Sequence, residues 1–587
     1  MLIIEYGKTY GGIMNIVTIE QLLEYIYGKS ASQLLPKVIA LLEAFLQEYH
    51  ITEQKPAIIT NKDALLISYG DMLSSEAEET EETGIARLNR FLAKWNHGDF
   101  NWLHLLPFHP YSSDDGFSVI DYQKVDPKQG TWENIGALGK NLKLTFDFVI
   151  NHGSVQSEWF TKFLADEAPY NRRYLTRPAN YDSSKIVRPR TSPLLTEFTK
   201  KDGTSVHVWT TFSADQADYD FSDPDTLLDF IRIFLDYCHR GGRMLRLDAI
   251  AYLWKEDGTS CIHHPKTHAF VRLLRAIIDG LGLPMLLLTE TNVPHKENMS
   301  YFGGQFSFDS DCPNFRESHL VYNFALPPLV LHAAISGNAA PLRHWAGELP
   351  DLPAGCCFLN FLASHDGVGL TPVKGLISDT NFTATLEIAK ERGALISYKS
   401  TPQGLIPYEL NCNWADMVAP ASLGSTEVQA RAFLATYAAA FSLPGLPAVY
   451  FHSWTGSRSW SEGPEILGYN RAINREKPSI EALENEIADP HSFRSLVMRG
   501  FHDLLEFRGQ YAEFNPSCPC TVLPAANGIF ALFRENPDAG QRLTVIINFS
   551  KMQETVDIPL LGNLPINAYG VRWIIHDQSA IISELAL

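Results

Sequence analysis

Residues 243–250 read RMLRLDAI, an apolar run that carries charged side chains at Arg246 and Asp248. An apolar run of this length is typical of a buried strand in a parallel sheet. Charge inside such a strand is unfavourable unless it is paired or used in chemistry. Arg246 and Asp248 are two residues apart and therefore point to the same face of the strand. Two interpretations stay open here: a buried ion pair that only holds strands together, or part of a functional site.

Further short apolar runs precede and follow this one and predict more strands. Amphipathic helical segments lie between them, such as residues 266–282, whose apolar face ends at a glycine. Strands that alternate with helices predict an α/β protein with a parallel sheet. Seven such runs over about 400 residues fit a (β/α)₈ barrel with long insertions. The other six runs are 64–71, 101–110, 144–152, 285–290, 358–366 and 446–451.

The chain divides by composition into a barrel and three additional segments. We expect a helical N-terminal extension over residues 1–60, with Met14 as an alternative start, and a catalytic barrel over 61–510. Residues 153–215, after the third strand, are rich in Arg, Pro, Thr and Ser and predict a small inserted lobe over the barrel mouth. Alternation of apolar and polar residues predicts a C-terminal antiparallel β domain over 515–587.

Composition restricts the partners of the protein. The chain has 587 residues and a net charge of -19, which argues against nucleic acid as a partner. It contains no apolar run of about 18 residues, and its N-terminus lacks a secretory signal pattern. The eight cysteines lack zinc-ligand or redox spacing, which favours reduced thiols and a cytoplasmic location. The oligomeric state is open, and an oligomer is possible.

Acidic residues follow several of the predicted strands. Asp248, Glu290 and Asp366 each end an apolar run, as does Asp147. Residues at the carboxyl ends of barrel strands face the active site, so these acids are expected around one cavity. Two carboxyl groups about 5 Å apart are the requirement for retaining cleavage of a glycosidic bond. We expect the arginine to keep one acid ionised and burial to raise the pKa of the other.

These motifs resemble the α-amylase superfamily, glycoside hydrolase family 13. R-x-D at 246–248, Glu290, H-D at 365–366 and D-x-x-x-N-H at 147–152 stand in the order found there. Within the superfamily the chain is similar to the sucrose phosphorylase group. WKEDGTSCIH, LLTETNVPHK and the helical extension are most similar to glucosylglycerate phosphorylases. The segments that carry the group resemblance are SSDDGFSVIDY (112–122), RLDAIAYLWKEDGTSC (246–261), YELNCNW (408–414) and GYNRAINR (468–475).

The resemblance implies roles for individual residues. Asp248 would be the nucleophile, Glu290 the acid and base, and Asp366 the residue that holds sugar hydroxyls and stabilises the transition state. Arg475 is a rival for the part given to Arg471, which by itself could be a surface loop arginine. The residues expected to bind the glucosyl unit are Asp114, Phe117, His152, Arg246, His365 and Arg471.

A phosphorylase also needs a cation for its phosphate. The resemblance places Arg190, from IVRPRTSP (186–193), at the phosphate and acceptor site together with Tyr408 and Glu409. Without the resemblance, Arg-Pro-Arg is typical of a solvated loop. Val187 and Glu409 depart from the sucrose phosphorylase pattern, which leaves fructose, glycerate, glycerol or another acceptor open. A carboxylated acceptor beside Glu409 would need a compensating cation.

The function implied is that of a retaining α-glucosyl phosphorylase. It converts an α-glucoside and phosphate to α-D-glucose 1-phosphate and a free acceptor by double displacement. The group works without metal or other cofactor, so none is expected here. The alternatives are an α-glucoside hydrolase or transglucosidase of the same superfamily, and a non-catalytic barrel subunit. The last is disfavoured because Asp248, Glu290 and Asp366 are all present.

Overall fold

The computed structural model describes residues 16–49, 58–76, 82–307, 316–401, 404–536, 540–577 and 580–587. The alternative start at Met14 and the first fifteen residues of the helical extension lie outside the described residues. In the described part, no helix combines the length and the apolar character needed to cross a bilayer. The seven described cysteines are all unpaired. Cytoplasmic location and oligomeric state stay predictions.

A closed barrel of eight parallel strands forms the centre of the protein, which confirms the predicted fold class. Each strand pairs with its sequence neighbours, and β1 closes the barrel by pairing with β8. The strands are β1 (Leu65–Ser68), β2 (Trp102–Leu105), β3 (Lys143–Val149), β4 (Gly242–Asp248), β5 (Leu286–Thr289), β6 (Leu320–Tyr322), β7 (Cys357–Asn360) and β8 (Leu446–Tyr450).

The strand β6 is the one barrel strand that the sequence analysis missed. It has three residues, between His319 and Asn323, and is too short to give a clear apolar run. The other seven strands overlap the predicted runs, and three of them begin one residue earlier than predicted. The polar residues at their carboxyl ends therefore share one face of the barrel.

Helices surround the barrel and lie between its strands. The helix Pro265–Leu281 buries the predicted apolar face and ends at Gly282, whose φ of 63° is the left-handed conformation that glycine favours. The other helices of seven or more residues after the N-terminal extension are Gly84–Trp95, Trp132–Leu138, Glu158–Leu164, Pro224–His239, Leu326–Ser336, Ala340–Gly347, Asp379–Glu391, Thr426–Ser442, Ile480–Ala488 and Phe493–Gln510.

Two helices, α1 (Ile16–Tyr27) and α2 (Ala31–Glu48), form the described part of the N-terminal extension. Leu22, Leu23 and Ile26 of α1 are fully buried, and α1 packs on the helix Pro265–Leu281. The Tyr27 hydroxyl donates a hydrogen bond to the Phe221 carbonyl at 2.9 Å. The extension is thus part of the packed core of the barrel.

Two excursions from the barrel form the rim of its open face. Between β3 and β4, the strands Leu195–Thr199 and Ser205–Trp209 form an antiparallel hairpin in the predicted lobe. Between β7 and β8, a three-stranded antiparallel sheet contains Val368–Gly369, Leu395–Thr401 and Gly404–Asn411, and the sequence analysis had not predicted it.

The C-terminal residues form antiparallel sheets, as predicted. Five strands form one sheet and two form another. Whether the barrel, lobe and extensions have the predicted domain boundaries stays a prediction. The strands are Cys520–Val522, Ile529–Asn536, Gln541–Asn548, Val571–His576 and Ile581–Ala586 in the first sheet, and Glu554–Ile558 and Gly562–Ile566 in the second.

Candidate active site

A single cavity at the carboxyl ends of the barrel strands is lined by every residue that the sequence analysis assigned to the site. The members come from β4 and from the segments that follow β2, β3, β5, β7 and β8. The twelve are Asp114, Phe117, His152, Arg190, Arg246, Asp248, Glu290, His365, Asp366, Tyr408, Glu409 and Arg471.

The Asp248 and Glu290 carboxylates lie at the ends of adjacent strands. Leu247 pairs with Thr289 between β4 and β5, so the next residue of each strand faces the same cavity. Ala249 follows Asp248 with a left-handed backbone (φ 48°), and its N–H donates to Glu290 Oε2 at 3.0 Å. Strained backbone of this kind is kept where the surrounding structure holds it. Here the strained residue Ala249, which follows Asp248, forms a main-chain hydrogen bond to the Glu290 carboxylate.

The buried charge of Arg246 is paired, because its guanidinium binds two acids. It donates to Asp147 Oδ1 at 2.5 Å and to Asp248 Oδ1 at 2.8 Å. His104 contacts the other oxygen of Asp147 at 2.8 Å. All these side chains are buried, so the ion pairs are shielded from water. Arg246 thus forms ion pairs with Asp147 and with the cavity-lining Asp248, and the functional role of the two cavity residues stays a prediction.

Burial raises the pKa of Asp248, while Arg246 opposes the shift and Glu290 adds to it. Burial also raises the pKa of Glu290, again against the effect of Arg246. The sequence analysis had expected burial to act on one acid only. Two coupled carboxyl groups with raised pKa values share a proton more readily than they carry two full charges.

Asp366 differs from these two acids because arginines surround it. Burial alone would raise its pKa, but Arg471, His365 and Arg475 together hold the pKa of Asp366 well below its usual range. Arg471 forms a direct ion pair with Asp366 Oδ1, and Arg475 lies 3.6 Å from the same oxygen. Asp366 is therefore a permanent anion beside the coupled pair.

The structure separates the two rival arginines. Arg471 lines the cavity and contacts Asp366. Arg475 is buried behind the cavity wall, where it pairs with Asp115 at 2.6 Å. Asp114 and Asp115 both have left-handed backbones (φ 53° and 47°), so this ion pair fixes a strained loop that presents Asp114 to the cavity.

The two histidines of the cavity, His152 and His365, are buried and neutral near neutral pH. Burial lowers the pKa of His365 to about 3 and also lowers the pKa of His152. The His365 ring stacks on Phe117 with centroids 5.0 Å apart. His152 Nε2 contacts the Phe117 carbonyl at 3.1 Å. Both imidazoles can therefore donate or accept hydrogen bonds without adding charge.

The two arginines of Arg-Pro-Arg have different surroundings. Arg188 donates to main-chain carbonyls of the lobe, among them those of Ser192 and Pro193, and so shapes the loop. Arg190 lines the cavity, with its guanidinium 5.9 Å from the centre of the Phe212 ring. Within the described residues, no carboxylate forms an ion pair with Arg190. Arg190 is thus an uncompensated positive charge in a cavity rich in acids.

Glu409 does not act as a free negative charge. Arg471 holds it with two hydrogen bonds, from Nε to Oε1 at 3.0 Å and from Nη2 to Oε2 at 2.7 Å. Tyr408, next to it, is half-buried, and its partial burial raises the pKa of its phenol to about 12. Tyr408 is therefore a protonated hydrogen-bond donor near neutral pH.

Sequence reasoning missed one buried cation beside the site. The Lys255 ammonium lies 2.6 Å from Asp218 Oδ2 and donates to Asn151 Oδ1 at 2.7 Å. The lysine charge therefore stands beside Asn151, the residue before the cavity-lining His152. Among the described residues, no group of three or more His, Cys, Asp or Glu side chains could hold a metal ion. That the enzyme needs no metal stays a prediction.

A closed (β/α)₈ barrel with acids at the ends of β4, β5 and β7 defines an enzyme of the glycoside-cleaving class. The family described as "Alpha amylase, catalytic domain" matches residues 99–366. A glucosylglycerate phosphorylase of Spirochaeta thermophila is 44% identical over 92% of this chain and 90% of its own length. One of Escherichia coli K12 is 38% identical over 94% of this chain and 98% of its own length.

A solved structure shows the same fold. The crystal structure of sucrose 6F-phosphate phosphorylase from Thermoanaerobacter thermosaccharolyticum superposes with a TM-score of 0.74 at 22% identity. The match covers 90% of this chain and 99% of that protein. The chain belongs to the α-amylase family, glycoside hydrolase family 13. It is an α-glucoside phosphorylase, as the sequence predicted.

Proposed function

We propose that this enzyme cleaves glucosylglycerate with phosphate to give α-D-glucose 1-phosphate and glycerate. The observation that carries the proposal is Arg190, a cation without a carboxylate partner in the described residues that lines the same cavity as Asp248 and Glu290. The names of the two relatives at 44% and 38% identity support glycerate as the acceptor. Phosphate needs such a positive charge, because the chain as a whole carries -19.

In the first displacement, the Asp248 carboxylate attacks the anomeric carbon and the glycosidic oxygen leaves as glycerate. Glu290 gives its proton to that oxygen, and a β-glucosyl ester of Asp248 forms. The step needs one ionised and one protonated acid, which the coupled pair supplies. Burial raises the pKa of both acids, so the assignment of the negative charge to Asp248 and of the proton to Glu290 rests on the direct contact of Arg246 with Asp248 at 2.8 Å.

In the second displacement, a phosphate oxygen attacks the same carbon from the face that glycerate left. Glu290 accepts the phosphate proton, and the ester bond to Asp248 breaks. Arg190 attracts the anion, and the Tyr408 phenol can donate a hydrogen bond to it. Two inversions at one carbon give net retention, so the product is the α-anomer. Water lacks the charge that Arg190 selects, which favours phosphorolysis over hydrolysis.

The glucosyl unit is bound by Asp366 and by three further polar side chains of the cavity. Asp366 stays ionised beside Arg471, and its anion can stabilise positive charge that develops on the sugar ring. Asp114, His152 and His365 line the same part of the cavity and can hydrogen-bond sugar hydroxyls.

A carboxylated acceptor is compatible with Glu409. The sequence analysis identified this residue as a source of repulsion. In the structure Arg471 binds Glu409 through two hydrogen bonds and also pairs with Asp366, so the Glu409 charge is reduced and glycerate needs a further cation of its own.

The test is an assay of glucosylglycerate, sucrose and glucosylglycerol with and without phosphate. We expect glucose 1-phosphate from glucosylglycerate only when phosphate is present, with much slower turnover of the other two. Asp248→Asn serves as the control and should lose nearly all activity, because the ester cannot form. Release of free glucose at a rate that does not depend on phosphate would instead identify a hydrolase.

A further inference from the structure

A second cavity adjoins the active site on the side of the acceptor. It is here termed the annex. Tyr408 belongs to the walls of both cavities, so the two cavities adjoin at this side chain. The annex is lined on its own side by Val187, Thr371 and Lys399, and it shares Tyr252, Asn292 and Tyr408 with the active site.

The annex contains a cation, Lys399, that has no ion-pair partner among the described residues. Lys399 comes from the strand Leu395–Thr401 and is half-buried. Its ammonium lies 5.4 Å from the centre of the Tyr408 ring and 3.4 Å from Thr371 Oγ1. In the described ranges, no carboxylate forms an ion pair with it. An ammonium in this setting interacts favourably with an incoming anion, since neither bulk water nor a protein acid compensates it fully.

The other charged groups around Lys399 do not take its place. Glu297 also faces the annex, where its carboxylate lies 3.5 Å from His263 Nε2, and among the described residues it forms no ion pair with Lys399. Arg188 is committed to main-chain carbonyls of the lobe. Lys374 is exposed outside the annex, and together with burial it lowers the pKa of Lys399, which Glu297 opposes. The positive charge available to a ligand here is therefore that of Lys399.

Asn292 supplies a second polar contact at the junction of the two cavities. Its side-chain oxygen is buried and has no hydrogen-bond partner among the described residues. Gly369 lies so close that a Cβ there would approach this oxygen to 2.5 Å, so the absence of a side chain lets the amide occupy this position. A buried acceptor without a donor favours a ligand hydroxyl.

We propose that the annex is the subsite for the anionic end of the acceptor, with the carboxylate on Lys399 and a hydroxyl on Asn292. The inference rests on the proposed function, because it concerns the acceptor of the same reaction. It assigns two cations to two anions: Arg190 to phosphate and Lys399 to the carboxylate of a short hydroxy acid.

The test compares glycerate with glycerol as acceptors and α-glucose 1-phosphate as donor, because the two acceptors differ in the carboxylate. Lys399→Gln should lower kcat/KM for glycerate by about tenfold or more, the effect of losing a charge-assisted hydrogen bond. Turnover with glycerol and KM for phosphate should stay close to the wild-type values, which also shows that the variant folds. Lys399→Arg should restore most of the activity with glycerate, and Lys374→Gln should leave the ratio between the two acceptors unchanged.

If the ratio of kcat/KM for glycerate to that for glycerol is unchanged in Lys399→Gln, the annex is not the carboxylate subsite. Failure of the proposed function gives a different result, namely that the wild type phosphorolyses a neutral glucoside and leaves glucosylglycerate intact. Calorimetric titration of glycerate into the wild type and Lys399→Gln needs no turnover. Weaker binding in the variant supports the annex, whereas equal affinity or no binding to either protein refutes it.

Discussion

Replacement of Arg190 by glutamine should change which nucleophile resolves the glucosyl-enzyme. The ester of Asp248 partitions between phosphate and water, so the ratio of glucose 1-phosphate to glucose reports the second displacement alone. Arg190 is the cation of the active-site cavity without an acidic partner among the described residues, whereas Arg246 and Arg471 are bound to acids. We therefore expect Arg190→Gln to slow capture by phosphate while water attacks as before.

The size of the effect follows from the contact that is lost. A hydrogen bond between a guanidinium and an anion contributes about 1.5–3 kcal/mol, which is a factor of about 10 to 150 in rate. Arg190 is only partly buried, so solvent screening favours the lower part of this range. Its position over Phe212 at 5.9 Å adds a weak cation–π contact that fixes the guanidinium and is also lost.

The assay is product analysis at fixed phosphate with glucosylglycerate as donor. The ratio of glucose 1-phosphate to glucose should fall about 10-fold or more in Arg190→Gln and recover in part in Arg190→Lys, which keeps the charge but not the fork. Arg188→Gln is the matched control from the same motif. It should reduce thermal stability, because Arg188 binds main-chain carbonyls, and leave the ratio unchanged. An unaltered ratio in Arg190→Gln would refute the assignment of this arginine to phosphate.

Two further predictions concern the buried charges. Since burial raises the pKa of Glu290, this side chain keeps its proton to higher pH than an ordinary glutamate does. In a pH–rate profile, kcat/KM for glucosylglycerate should therefore fall as the pH rises through that pKa. Glu290→Gln should lose this decrease at alkaline pH together with most of the activity. A variant with the decrease intact would exclude Glu290 as the acid. Lys255→Met leaves Asp218 buried without its ammonium and should lower the free energy of unfolding by about 3–5 kcal/mol in urea denaturation. The double variant Lys255→Met/Asp218→Leu should recover part of this loss, and an additive further loss would contradict a direct pair.

The sequence was sufficient for the barrel and for the acids because both follow from local patterns. The apolar runs 243–250, 285–290 and 358–366 predicted β4, β5 and β7, and the acids in these runs are Asp248, Glu290 and Asp366. The parallel barrel then requires that these ends meet at one face. The short strand β6 was missed because three residues give too little periodicity to distinguish a strand from a loop.

Other features depended on contacts between distant segments. The sequence offered both Arg471 and Arg475, and only the fold directs one into the cavity and the other behind its wall. From the sequence, Glu409 was an unfavourable charge for a carboxylated acceptor. The structure shows its two hydrogen bonds to Arg471, which lies 62 residues away in the chain. The sheet that carries Lys399 and Tyr408 gave no signal, because its strands form between two barrel strands without a clear alternating pattern.

The amino-acid sequence by itself determined the class of enzyme, since strand-end acids and their order depend on residues that are near in the chain. Tertiary structure decided the charge of each group in the cavity, because a carboxylate or a guanidinium takes its pKa and its partner from whatever the fold brings within a few ångströms. That is why the strand-end acids and Arg190 could be named as candidates from the sequence, whereas the partner of Glu409 and the position of Lys399 could not.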